Sequence, residues 1–234
     1  MTRKPLAATD QCGDTRQRLL LTALHLYAEE GLHAVSLRRI SSTAGSKNSA
    51  AMHYHFDNKL GVIRALIEMI AAELQIIATG LRQRQPVQPS LRDEFRNTLL
   101  PLARLPLEVP WGADAVRFMS RLITECSPEM AAEFNRVYEP FWQRVDGALA
   151  QLIPELPADI RRLRLMFMST NVFHGVAEVA SLAHTPLGDM SHFDNETLLD
   201  HLVDYLIGGL QASGHTRPRT RTNDTRATTR ELPQ

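Results

Sequence analysis

Cysteine is nearly absent from this 234-residue chain, which has two. Cys12 and Cys126 are too few and too scattered for a disulfide framework or a thiolate zinc site. Cys126 reads as a small residue of an apolar helix, with a thiol sensor as the minor alternative. Aromatics are also scarce, at 6% against 44% hydrophobic residues. The interior must therefore be filled by Leu, Ala, Ile and Met, as suits a helical protein. No apolar run approaches the ~20 residues that a membrane span needs. The opening MTRKPLAATDQCGD is positively charged but lacks the apolar stretch of a signal peptide, so a cytoplasmic location is expected. Strand alternation, internal repeats, a glycine-rich phosphate loop and nucleophile-elbow signals are missing too.

Excess charge of one sign is also lacking, since 26 basic and 26 acidic residues cancel. The distribution is uneven. Residues 1–60 carry 8 basic and 5 acidic side chains, residues 61–213 carry 13 and 19, and residues 214–234 carry 5 and 2. A basic end on an acidic body suits local neutralisation of phosphates by the contacting face, although helical domains often swing this much.

The stretch from Ser36 to Lys59 organises the rest. Ser36 is a helix N-cap type, and Leu37, Ile40 and Ala44 at i, i+3 and i+7 form one apolar stripe. Gly45 ends that helix. Asn48 caps a second, in which Met52 and Phe56 lie four apart. Two short helices around a glycine-containing turn form a helix-turn-helix pattern. At 100° per residue, Ala50 and Tyr54 fall opposite Met52, and Ala51 and His53 flank them. Small residues followed one turn later by ring side chains suit close approach to a groove and reach to phosphates or base edges. A plain polar surface helix would show the same phase.

From Arg18 to Lys59 the chain resembles the TetR family of bacterial transcriptional regulators. The match comprises Leu19, Leu20, Ala23, Leu26, Tyr27, Ala28, Glu29 and Gly31, then Ala34, Ser36, Leu37, Ile40, Ala44 and Gly45. It closes on Tyr54-His55-Phe56 and Lys59. The segment between Gly45 and Phe56 is one residue longer than the commonest family spacing. The resemblance covers about the first quarter of the chain. It implies a DNA-contacting set of Ser36, Arg38, Asn48, Ser49, Ala50, Ala51, His53, Tyr54, His55 and Lys59. Arg16 and Arg18 join Lys59 as candidates for phosphate contact.

The expected architecture is all-α. A disordered arm spans 1–14, a three-helix DNA-binding domain spans 15–60, a helical ligand-binding and dimerisation domain spans 61–213, and a disordered Thr/Arg-rich tail spans 214–234. Asp14 or Thr15 is expected to cap the first helix, which Gly31 ends. A long helix is expected over 59–84, then one from Ser90 to about Leu105, closed by a turn between Pro106 and Pro110. Helices over 111–124 and 128–153 follow, the second kinked at Pro140. Segments 157–184 and 194–212 are apolar on more than one face. By resemblance, they pair with their mates in a homodimer.

A largely apolar pocket is suggested for the body, with Trp111, Phe118, Trp142, Met166, Phe173 and His174 as candidates, although core packing explains each individually. The resemblance implies a repressor of double-stranded, palindromic operator DNA, released by a small apolar effector. No cofactor, metal or membrane partner is expected. Two alternatives remain: a helical interaction protein of this fold without operator binding, and a helical metal enzyme. The latter would use His174 and Glu178, four apart on one face, but no second close pair supports it among His184, His192 and His201.

Overall fold

The computed structural model describes residues 7–46, 50–82, 88–125, 127–177 and 179–212. Their order is α1 (Ala7–Glu30), α2 (Leu37–Thr43), α3 (Ala50–Phe56), α4 (Lys59–Arg82), α5 (Leu91–Glu108), α6 (Gly112–Glu125), α7 (Pro128–Leu152), α8 (Ala158–Ala177), a 3-10 turn (Val179–His184) and α9 (Asn195–Gln211). No strand occurs among the described residues.

α1 to α3 and the first half of α4 form a head around Leu19, Ala23, Leu24, Tyr27, Ile40, Met52, Ile63 and Leu66, all at 0% exposure. Each local stop in this head has a sequence cause. Ser36 is in extended geometry, and its Oγ accepts the Arg39 N–H at 3.2 Å, so it caps α2. At the other end Gly45 takes φ +75°. The Ser46 N–H then reaches Ser41 O at 2.9 Å and the Gly45 N–H reaches Ser42 O at 3.1 Å. That pair of bonds is a Schellman closure, and it turns the chain toward α3. Asn58 Oδ1 accepts the Gly61 N–H at 2.9 Å and starts α4. A Cβ on Gly61 would lie 1.9 Å from the Phe56 carbonyl oxygen, so only glycine fits the α3–α4 corner.

α4 leaves the head and packs against α5 and α7; α6 packs on α1, α5 and α8, and α9 covers α5. Apolar spacing explains the inward faces, as with Ala115, Val116, Phe118, Met119 and Leu122 of α6. Charged side chains fasten the outer layers. Arg92 pairs with Asp200 and Asp204 and Arg96 with Asp200, from α5 to α9. Asp146 of α7 holds Arg161 and Arg162 of α8 at 2.6 and 2.9 Å.

Three expected boundaries change. α1 begins at Ala7 rather than at Asp14 or Thr15, because a packed helix extends outward one hydrogen-bonded residue at a time, and Ala7 and Ala8 are strong helix formers. α5 continues through Pro101 and Pro106 to Glu108. Burial of Pro101, Leu102 and Leu105 outweighs the lost backbone donors. The segment 157–184 is not one helix, since α8 stops at Ala177 and a 3-10 turn follows. Pro140 lies inside α7, which is one helical run from Pro128 to Leu152. The cap assigned to Asn48, the contact at Ser49, the core role of Cys126 and the tail 214–234 lie outside the described residues.

Candidate functional site

Two surfaces and the joint between them carry the functional reading. The first is the outer side of α3. Met52 and Phe56 are sunk into the head, whereas Tyr54 is 79% exposed, and Ala50 and His53 are exposed beside it. Ala51 and His55 are half-buried at the edges of this face. His53 Nδ1 stands 2.8 Å from the Asp57 carbonyl oxygen. A carbonyl only accepts, so the proton sits on Nδ1 and Nε2 is left for an outside partner. The Tyr54 ring meets His55 edge-on, with centroids 5.0 Å apart.

The neighbouring cations differ in availability. Arg38 is exposed and has no ion pair among the described residues, whereas Arg39 is tied to Glu30 at 3.0 Å. The Arg16 guanidinium lies over the Phe56 ring at 5.1 Å. Lys59, expected beside DNA, sits with Nζ over the Tyr27 ring at 5.8 Å, and burial lowers its pKa. Ser36 is present on this side as the α2 cap.

The second surface is a cavity of about 520 Å³ between α4, α5, α7 and α8. Leu74 of α4, Leu99 and Leu102 of α5 and Val172 of α8 supply apolar walls; Tyr138, Phe141 and Trp142 of α7 and Phe173 of α8 supply rings. Glu94, Asn97 and Thr98 of α5 and Ser169 of α8 are half-buried polar lining residues. Gln75, Pro140 and Arg144 are exposed at its rim. Burial pushes the Tyr138 hydroxyl well above its ordinary pKa, so it remains a phenol.

Of the six pocket candidates, Trp142 and Phe173 line this cavity. The other four do not. Phe118 is fully buried and faces Tyr27 across the head–body joint, with centroids 6.2 Å apart. Trp111 is half-buried in the turn before α6. Met166 is 56% exposed on the outer side of α8. The His174 ring reaches α6 instead, where Nδ1 and Ser120 Oγ are 2.9 Å apart. Glu178, the other residue of the metal alternative, lies outside the described residues. The period places Phe118 and His174 inward, but it does not say which inward space they meet. The α5 lining was missed, although Glu94, Asn97, Thr98, Pro101 and Leu102 recur at helical spacing.

The joint is polar and specific. Arg121 of α6 donates to the Ala28 and Glu29 carbonyls at 2.7 and 3.1 Å, satisfying the open C-terminal end of α1. Glu125 holds Arg121 at 3.0 Å and accepts the Leu32 N–H at 2.8 Å. His25 and Asp114 add a 3.0 Å contact between the same two helices.

Comparison with known proteins agrees with this arrangement. Residues 19–66 match the family described as "Bacterial regulatory proteins, tetR family", and residues 96–209 match "Tetracyclin repressor-like, C-terminal domain". The HTH-type transcriptional repressor KstR2 of Rhodococcus jostii is 31% identical over 93 residues, covering 38% of this chain and 45% of that repressor. The chain thus spans under half the length of this curated relative. A transcriptional regulator from Saccharomonospora viridis, solved in complex with choline, superposes with a TM-score of 0.57 at 18% identity, covering 83% of this chain and 96% of that one. The Bacillus subtilis regulator FadR, solved with stearoyl-CoA, gives 0.55 at 14% identity, covering 82% and 98%. These two likenesses concern the fold. The head and the body, matched in order along the chain, show that it belongs to the TetR family of bacterial transcriptional regulators.

Proposed function

We propose that the chain is a ligand-responsive, DNA-binding repressor that acts as a homodimer in the cytoplasm. The observation that carries this reading is the outer face of α3, where an exposed Tyr54 sits one turn from an exposed Ala50 on a helix anchored by Met52 and Phe56. A small first turn lets the helix backbone approach a major-groove floor. The Ala50 methyl then suits a thymine methyl, and Tyr54, His53 and Arg38 reach base edges or phosphate.

A palindromic site requires two heads, presented about 34–36 Å apart. Leu163, Met166 and Phe167 of α8 and Tyr205 of α9 supply a dimer face, being 45%, 56%, 55% and 66% exposed within the segment 157–212. An apolar surface of this kind favours a covering partner. The cavity borders α4, so a molecule that wedges its walls shifts the balance of head separations toward one that misses the operator. The choline and stearoyl-CoA held by the two neighbours support a small-molecule effector in this fold and differ too much to choose its chemistry. The family regulates transcription rather than catalysing reactions, which weighs against the enzyme reading.

The test uses purified protein and its operator, found by genomic footprinting. Ala50→Glu is expected to abolish specific binding while the dimer and its thermal midpoint persist, and Tyr54→Ala to weaken binding about tenfold or more, the scale of one lost base-edge contact. Measurement across a salt series separates lost base contacts from phosphate attraction. Unchanged affinity and salt slope for Ala50→Glu would remove α3 from the groove. Sedimentation at micromolar concentration checks the dimer, and a purely 26 kDa species would refute it.

A further inference from the structure

We infer that the cavity selects an amphipathic cation, a ligand with one positively charged centre on an apolar body, and that Glu94 is its counter-charge. This rests on reading the cavity as the effector site. The charges around α5 are otherwise engaged. Arg92 and Arg96 pair with Asp200 and Asp204. Asp93 is held by the Ser90 hydroxyl and backbone N–H at 2.6 and 2.9 Å, which lower its pKa. The Glu94 carboxylate has no hydrogen bond or ion pair among the described residues, yet the residue is half-buried on the cavity wall. A carboxylate removed from part of its water without a partner is costly, and a bound cation relieves that cost.

The rest of the wall has the same electrostatic sense. Pro101 lines the cavity and has no N–H, so the Asn97 carbonyl one turn earlier loses its helical donor on that side of α5. The rings of Tyr138, Phe141, Trp142 and Phe173 present electron-rich faces, which attract cations. Phe141 already hosts one, with the Arg144 guanidinium 5.4 Å from its centroid. That arginine is the other charged lining residue, and it lies exposed at the rim, occupied by the ring. The half-buried part of the cavity therefore carries net negative character. Leu74, Leu99, Leu102 and Val172 leave room for an apolar tail.

Calorimetry on the full chain with three probes sharing one tail tests this: octyltrimethylammonium, octanol and octanoate. The cation is expected to bind about tenfold tighter than the alcohol, the scale of one partly desolvated charge pair, and octanoate to bind weakest. Glu94→Gln should erase the preference for the cation and shift the alcohol by less than about twofold. Thr98→Trp, or Ala78→Leu on the opposite wall if the larger change unfolds the protein, should weaken all three probes. A cation no tighter than octanol, a preference that survives Glu94→Gln, or octanoate binding tightest through Arg144 would each overturn the charge assignment. Failure of all three probes to bind, or binding unaffected by both filling variants, would instead remove the cavity as the effector site.

Discussion

The two halves of α4 meet different surroundings. From Val62 to Ile70 its inward residues are sealed, with Val62, Ile63, Leu66, Ile67 and Ile70 all at 0% exposure. From Ala71 to Ala78 the same stripe is only partly covered and borders a cavity of about 520 Å³. One helix therefore has its first turns fixed in the head and its later turns against a space that a ligand can fill. A solid core resists graded deformation, whereas a hollow one has room for a second arrangement of its walls. On the proposed reading, the hollow lies away from α3, whose inward residues Met52 and Phe56 are buried in the head. In that reading, the angle at which α4 carries the head is the quantity an effector would change.

The comparison is broken most severely at the sealed end. Gly61→Ala places a methyl 1.9 Å from the Phe56 carbonyl oxygen, backbone against backbone, with no flexible atom to give way. A loss of about 3 kcal/mol or more is expected, with the thermal midpoint falling by roughly 6–12 °C. Operator binding should go with it, because the α3–α4 corner sets the pose of α3. At the hollow end, Asp146→Asn should cost about 2–3 kcal/mol, since Arg161 has a side chain only 9% exposed and loses its main partner. The hydrogen bond from Arg161 holds the Asp146 carboxyl below its ordinary 3.8, ahead of the smaller help from Arg162 and against burial. A carboxylate with a depressed folded-state pKa contributes stability that is complete above the ordinary value and fades as pH falls through the folded one. Urea midpoints of the wild type should therefore drop below about pH 4 more steeply than those of Asp146→Asn.

These two sites also show what sequence alone conveys. The Ser36 cap, the Gly45 stop and the inward pair Met52 and Phe56 were legible because each is a local event, settled within one turn of backbone. Tyr54 on the outer face follows from the same period. Gly61 was silent, since the need for glycine arises only where α4 folds back on the Phe56 carbonyl. The cavity was half legible for a similar reason. Trp142 and Phe173 were named, yet Phe118 and His174 point just as firmly inward and meet α1 and α6 instead. Helical phase assigns a side, and only tertiary packing assigns a neighbour.

The joint between head and body sharpens the contrast, because α6 packs on α1 of the head and on α5 and α8 of the body. Arg121→Ala removes the donors to the Ala28 and Glu29 carbonyls and frees Glu125, for an expected cost of about 1–2 kcal/mol. The more telling readout is the ratio of operator affinities with and without effector. That ratio should shrink in Arg121→Ala by more than the stability loss alone explains, because the head is then less firmly tied to α6. An unchanged ratio would confine transmission to α4.

The smallest effect is expected at Tyr27, in the most completely buried part of the joint. Its side chain is at 0% exposure, and its hydroxyl has no hydrogen-bond partner among the described residues. Burial accordingly pushes its pKa far above the ordinary tyrosine value. The ring itself is well used, facing Phe118 at 6.2 Å and lying beneath Lys59 Nζ at 5.8 Å. An unsatisfied buried hydroxyl costs free energy on folding, while the ring contributes the packing. Tyr27→Phe keeps the ring and removes the orphaned oxygen, so the protein should hold its stability or gain up to about 1 kcal/mol, visible as a rise of a few degrees in Tm. Tyr27→Leu, which removes the ring as well, should lose about 2 kcal/mol. If Tyr27→Phe destabilised the fold as much as Tyr27→Leu, the hydroxyl would have a partner, and the sealed end of the molecule would contain a polar contact of its own.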